Sequence, residues 1–275
     1  MSTAMSARRT AAGLAAGLIA AAGLTASVAA PAQAAEQRVK IVQHNVEKKW
    51  APIALAVQQA KTIGAQGITL REVCQSDKNT LIAQNPAWTI NYKLSKADGC
   101  GTNNDVGTVA IWTGGANGAK ESYDLPKDGT RNPRLTCVKY GSSPVRHICS
   151  AHLVSKDTEN VRAKQTARIA SITSGWITNN HAVVVAGDFN ASPGKPEMDS
   201  MYALNGRGRF TEGDQTATAR AGDWTATSKD GNHRKIDYVF FSRNRTGFGD
   251  AKGIQTISTD SDHELLIARA DVRVG

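Results

Sequence analysis

Short apolar runs recur along this chain, and most close on a polar side chain. Residues 38–46, 67–70, 88–92, 107–112, 135–140, 145–151, 182–186, 235–242 and 265–274 read as strands. They are rich in β-branched and aromatic residues, and turn formers bound many of them. Two stretches instead carry a helical rhythm. In 50–63 the apolar positions are Ile53, Leu55, Ala56, Val57, Ala60 and Ile63. In 158–177 they are Val161, Ala163, Ala167, Ile169, Ala170, Ile172 and Trp176. Residues 195–232 are rich in Gly and charge, with weak periodicity. Many strands and two strong helices predict an α/β (α+β) fold. Its form is a mostly antiparallel sandwich flanked by helices, not a doubly wound parallel sheet.

The first residues follow a different logic. Arg8 and Arg9 precede an Ala-, Gly- and Leu-rich run, and Pro31-Ala32-Gln33-Ala34-Ala35 ends it. That order is a secretory signal with an A-x-A cleavage site. The run is long enough to compete as a membrane anchor, but its composition and cleavage pattern favour export. Residues 1–34 are therefore expected to be a signal peptide and 35–275 the mature domain, secreted outside a bacterial cell. The formal charge of +9 falls to +7, since only Arg8 and Arg9 are lost (9 − 2). A basic exported chain favours anionic partners: nucleic acid, phospholipid headgroups or phosphorylated metabolites.

Export also changes the meaning of the cysteines. Cys74, Cys100, Cys137 and Cys149 are an even set with no zinc-type C-x-x-C spacing. Strands 135–140 and 145–151 flank the turn Gly141-Ser142-Ser143-Pro144. The midpoint of 137 and 149 is 143, so a symmetric hairpin sets Cys137 opposite Cys149. Cys74 and Cys100 are left to pair.

The polar residues that close the strands share one chemistry. Asn45, Glu72, His152, Asp188 with Asn190, Asp237, and Asp262-His263 follow successive apolar runs or sit in late loops. Any one of them alone reads as a turn former. Together they supply hard oxygen donors and two imidazoles. Oxygen donors suit Mg²⁺, with Mn²⁺ or Ca²⁺ as alternatives. Imidazole works as acid or base near neutral pH, and a carboxylate commonly fixes its tautomer. This is a kit for metal-assisted phosphoester hydrolysis.

The ordered set HNV (44–46), LRE (70–72), SAHL (150–153), GDFN (187–190), KIDYVF (235–240) and SDH (261–263) resembles the endonuclease/exonuclease/phosphatase superfamily. The secreted deoxyribonuclease-I-like nucleases are the nearest branch. The resemblance implies a four-layer sandwich of two mostly antiparallel sheets flanked by helices. It also implies roles. Glu72 would be the principal metal ligand, with Asn45 and Asp262 at or behind the metal site. Asp188 would orient or deprotonate the attacking water, and Asn190 would hold that water or the phosphate. His263 would contact the phosphoryl oxygens with Asp237 as its partner, His152 would be the second catalytic histidine, and Arg131 would contact phosphate.

Departures from the family pattern matter as well. The family commonly has Gln before the metal-binding Glu, where this chain has Arg71. A groove-inserting arginine, found in the pancreatic-type enzyme, is replaced by Cys74. Arg71 is then the candidate for that nucleic-acid contact, and Asp105 the nearest acid for His152. The expected enzyme is a monomeric endonuclease acting on DNA, with RNA as a further substrate, and without stable membrane association. A sphingomyelinase or inositol-phosphate phosphatase of the same superfamily is the alternative.

Overall fold

The computed structural model describes residues 35–274 except Asp128, Thr130, Lys156, Asp157, Phe248 and Gly249. The expected signal peptide, 1–34, lies outside the described residues. In chain order the elements begin β1 (Glu36–Asn45), α1 (Trp50–Ile63), β2 (Gly67–Cys74), α2 (Gln75–Gln84), β3 (Thr89–Lys96) and β4 (Val106–Trp112). Next come β5 (Ala119–Asp124), β6 (Arg134–Tyr140), β7 (Arg146–His152), α3 (Glu159–Thr178) and β8 (Ala182–Asp188). Short β9 (Phe210–Glu212), β10 (Ala226–Thr227) and β11 (His233–Arg234) follow. The last are β12 (Asp237–Ser242), β13 (Ala251–Ile257) and β14 (Leu265–Arg273).

Two six-stranded sheets form, ordered β13-β14-β1-β2-β4-β3 and β5-β6-β7-β8-β12-β9. Pairs β1·β2 and β7·β8 are parallel, and the other described pairs are antiparallel. Three apolar clusters define four layers. Ile53, Ala56 and Leu81 of α1 and α2 pack on Val42, Ile68, Leu70 and Ile267 of the first sheet. Ile41, Ile148, Val184, Val239 and Ala268 fill the space between the sheets. Ile169 and Ile177 of α3 cover Cys149, Val185 and Phe240 on the far face of the second sheet.

Strand alternation turns this layering into a site. Successive side chains point to opposite faces. In β8, Val183 and Val185 join the α3 cluster, while Val184 and Ala186 face the other sheet. Asp188 is next in the inward row. By the same count Asn45 follows Ile41 and Gln43, His152 follows Ile148 and Ser150, and Asp237 precedes Val239. Each inward row is apolar at mid-strand and polar at one end, so the polar ends meet along a single rim.

Several elements differ from what periodicity predicts, and β9, β10, β11 and β13 form where it reads no strand. α2 buries only Leu81, so it carries no apolar stripe to read. β5 has no fully buried residue. β2 continues past Leu70 because a bulge between Leu70 and Val73 absorbs Arg71 and Glu72. Glu72 sits at φ 55° there, a left-handed conformation costly for a non-glycine residue and commonly found at functional sites. Gly187 is fixed by a close approach of two strands. A Cβ there would meet the Ala151 carbonyl oxygen at 2.2 Å, so glycine is needed for packing against β7.

Cys137 and Cys149 are register partners in the β6–β7 hairpin and form a disulfide, as do Cys74 and Cys100. Cys74–Cys100 fastens the strand two residues beyond Glu72. Replacing Cys137 and Cys149 with Ser should lower the unfolding free energy by about 3 kcal/mol, the loop-closure value for a short loop, as read by urea denaturation. A non-reducing peptide map showing Cys74 linked to Cys137 would contradict this pairing.

Candidate active site

Asp188 occupies the centre of the rim, 2% exposed. Its Oδ1 accepts the Asn190 backbone N–H at 2.9 Å. Its Oδ2 receives Asn45 Nδ2 at 3.2 Å and faces His152 Nε2 at 3.4 Å and His263 Nε2 at 3.8 Å. One carboxylate oxygen therefore stands between two imidazoles, one from the end of β7 and one from the loop before β14.

His263 is tightly oriented. Its Nδ1 lies 2.7 Å from Asp237 Oδ2, which leaves Nε2 turned toward Asp188. Asp237 is itself held, Oδ1 by Gln43 Nε2 at 2.8 Å and Oδ2 by Thr225 Oγ1 at 3.1 Å. Burial lowers the His263 pKa, but attraction and hydrogen bonding from Asp237, with Asp188 and Asp262 behind, outweigh it and raise the value to about 10. The ring is thus a cation at neutral pH. Gln43 sits two positions before Asn45 on one strand, so period-two spacing offers a signal for it. Thr225 lies in the aperiodic region, with no sequence signal.

Carboxylates crowd the opposite side. Glu72 Oε1 lies 3.5 Å from Asn45 Nδ2. Glu47, in the loop after β1, accepts the Asp262 backbone N–H at 3.1 Å. Burial raises the Asp262 carboxyl pKa, His263 opposes this, and Glu47, Glu72 and Asp188 add to it by repulsion. Mutually repelling oxygen donors are a chemistry that a hard divalent cation fits. Asp188, Asp237 and His263 also place ligand atoms within 4.8 Å of one another. However, both Asp237 oxygens are already committed to Gln43, Thr225 and His263. The Glu72 and Asp262 side is the more open, with the Asp262 side chain 51% exposed.

Several sequence expectations change here. Asn45 presents its NH₂ to the acids, while its Oδ1 accepts the Glu47 N–H at 3.2 Å. In this arrangement it is a donor that fixes Asp188. Asn190 lies beyond the strand at φ 51° and donates Nδ2 to the Leu153 carbonyl at 3.0 Å. Its amide thereby ties the loop beside His152 to Asp188. Asp105 accepts the Asp98 N–H at 3.0 Å, and no described contact joins it to His152. Arg71 is 0% exposed and lies between the sheets, so it cannot reach a nucleic-acid backbone.

Beside Glu72 and His152 opens a cleft of about 500 Å³, counting its mouth, with Lys48, Lys96, Arg131 and Pro133 among its walls. Arg131 is exposed there. Other basic residues serve the fold instead. Lys235 is buried near Glu212 and Asp214, Arg220 pairs with Asp199, and Arg209 holds Ser174 and Thr178 on α3.

A two-sheet sandwich with a rim of acids and paired histidines defines a phosphoester hydrolase scaffold. The chain belongs to the Endonuclease/Exonuclease/phosphatase family, whose sequence model matches residues 84–263. No curated protein sequence matches the chain. Solved structures do match in fold. An endonuclease/exonuclease/phosphatase from Bacteroides vulgatus has TM-score 0.64 and 13% identity, over 86% of this chain and 99% of that one. Truncated TDP2 of Caenorhabditis elegans has TM-score 0.63 and 14% identity, over 85% and 97%. The human Nocturnin catalytic domain with bound sulfate has TM-score 0.62 and 13% identity, over 85% and 96%. Among the described residues, no helix is long and apolar enough to cross a membrane.

Proposed function

We propose that the mature domain, residues 35–275, is a secreted, divalent-metal-dependent phosphodiesterase of the deoxyribonuclease-I-like branch. It hydrolyses DNA internally, with RNA as a further substrate, by in-line attack of water at phosphorus. The observation that carries this is the Asp188 carboxylate between His152 and His263, beside a cleft walled by Lys48, Lys96 and Arg131.

In this mechanism the exposed cations of the cleft bind backbone phosphates, the contact that supplies most non-specific affinity. Asp188 orients the attacking water and takes its proton. Protonated His263, aligned by Asp237, donates to a phosphoryl oxygen as charge builds there. His152, on the cleft side of Asp188, serves the leaving oxygen. Glu72 and Asp262 would hold Mg²⁺, or Mn²⁺ or Ca²⁺, which supplies Lewis-acid polarisation and charge stabilisation when bound. Asn45 and Asn190 position Asp188 through hydrogen bonds.

One feature favours the alternative, a sphingomyelinase-type or inositol-phosphate phosphatase. Trp224, 41% exposed, stacks on His233 beside β10, and a lipid enzyme needs apolar exposure to reach a bilayer. A direct comparison separates the readings. Purified protein is incubated with plasmid, RNA, sphingomyelin vesicles and inositol phosphates, with Mg²⁺ and with chelator. Nicked and linearised plasmid is expected. Lipid or inositol-phosphate turnover with plasmid intact would overturn the nuclease reading.

A further inference from the structure

Beneath the rim lies a cation that the mechanism above does not use. Arg71 heads the fully buried side chains by volume, at 0% exposure. It leaves β2 opposite Asn45 in the parallel pair and enters the space between the sheets. Nη1 donates to Ser150 Oγ at 3.3 Å and to the Ala186 carbonyl at 3.4 Å. Nε and Nη2 meet no hydrogen-bond partner among the described residues.

A fully buried guanidinium without a contacting carboxylate is costly unless some field offsets its desolvation. A guanidinium keeps its charge in proteins. Its Nη1 holds the Ala186 carbonyl, two residues before Asp188 on β8, and its register partner Asn45 meets Asp188 at 3.2 Å. Asp237 pairs with Asp188 across β8 and β12, so these two acids stand at the strand ends beside it and supply that field. The neighbouring imidazole does not compete. Burial first, then Arg71 and His263, push His44 down to about 3, so it is neutral. Alternation alone turns Arg71 toward the other sheet, since Ile68 and Leu70 face the helices, and the bulge with its left-handed Glu72 departs from that alternation only after Arg71. Here they serve one site, Glu72 at the rim and Arg71 below it.

We propose that Arg71 is a positioning residue, a buried counter-charge that stabilises ionised Asp188 and Asp237 from beneath and weakens the hold of the rim carboxylates on a divalent cation. It stands where the family pattern has a neutral amide, so the charge is a property of this chain. The stabilising half depends only on the charges present in the protein. The cation half rests on the metal-dependent reading above.

Three variants test it: Arg71→Gln, Arg71→Lys, and Arg71→Gln combined with Asp188→Asn. Melting temperatures are measured in chelator, and Mn²⁺ binding is measured by calorimetry without substrate. Arg71→Gln should melt lower, Arg71→Lys should keep most of the wild-type value, and the double variant should regain most of the loss. Such recovery is the coupling expected of interacting charges. Arg71→Gln should also bind Mn²⁺ more tightly, on the order of tenfold, as removal of a nearby unit charge implies.

No recovery in the double variant, or equal losses in Arg71→Lys and Arg71→Gln, would show that shape and not charge matters. If Arg71→Gln fails to fold, folding of the double variant and of Arg71→Lys supports the proposal, and failure of both overturns it. Unchanged Mn²⁺ affinity in folded Arg71→Gln overturns the cation half. Should no variant nor the wild type bind Mn²⁺, the metal reading fails while the charge coupling is judged on melting alone.

Discussion

His263→Ala lowers the turnover number by about 10²- to 10⁴-fold, the range for loss of a positioned acid–base group, and it also lowers the melting temperature at neutral pH, because the buried Asp237 loses its cation. The ring is 8% exposed and its Nε2 faces Asp188, so its removal strikes the reacting centre. Asp237 keeps Gln43 and Thr225 as partners, which limits the loss of stability without replacing the cation. A second signature is thermodynamic. The folded pKa of about 10 exceeds the ordinary 6.5. His263 therefore contributes full stability below about pH 6.5, and this is lost as pH rises toward about 10. In chelator, the wild type should lose stability across that window more steeply than His263→Ala. Parallel pH curves would show that the ring is not a buried cation, and unchanged turnover would remove His263 from the mechanism.

Chelation should abolish hydrolysis, and added Mg²⁺ should restore it. Glu72→Gln should cost at least about 100-fold in activity at fixed Mg²⁺, more than the loss typical for residues behind a metal ligand. The argument is electrostatic. Burial raises the Asp262 carboxyl, and repulsion from Glu47, Glu72 and Asp188 adds to it against the pull of His263; a dication relieves that repulsion. Glu72 is held in a left-handed conformation at a bulge, beside the Cys74–Cys100 bridge. A strained position fastened by a disulfide suits a group whose placement matters. Full activity after exhaustive chelation would rule out the metal role, and Glu72→Gln with wild-type Mg²⁺ dependence would move that role elsewhere.

Much of the layering was legible in the chain. The run 182–186 with its polar ending predicted β8, and the structure extends it to Asp188. The helical rhythm of 50–63 matches α1. The symmetry of the 135–151 hairpin predicted the Cys137–Cys149 bridge, and register pairs Leu135 with Ala151 around the same centre. α2, β5, β9, β10, β11 and β13 were not legible, because they bury little apolar surface or are too short to show a period. For the same reason the partners of Asp237 were half visible: Gln43 through strand alternation, Thr225 not at all.

The sequence by itself determined which residue types close the strands, and hence that acids, amides and imidazoles gather at one edge of a sandwich. Alternation and burial are local rules, so a one-dimensional pattern carries them. The tertiary structure alone decided how those groups divide the work. Whether an amide presents oxygen or nitrogen depends on its second partner, and Asn45 gives its Oδ1 to the Glu47 N–H while its Nδ2 meets Asp188. Whether an arginine at a strand end meets solvent or a second sheet depends on what is stacked over it. Arg71 lies in the inward row of β2 and is enclosed by Ser150 of β7 and Ala186 of β8, so it became a buried charge and not a nucleic-acid contact. Contacts between residues far apart in sequence, such as 71 with 186 or 237 with 263, arise only once the two sheets are stacked.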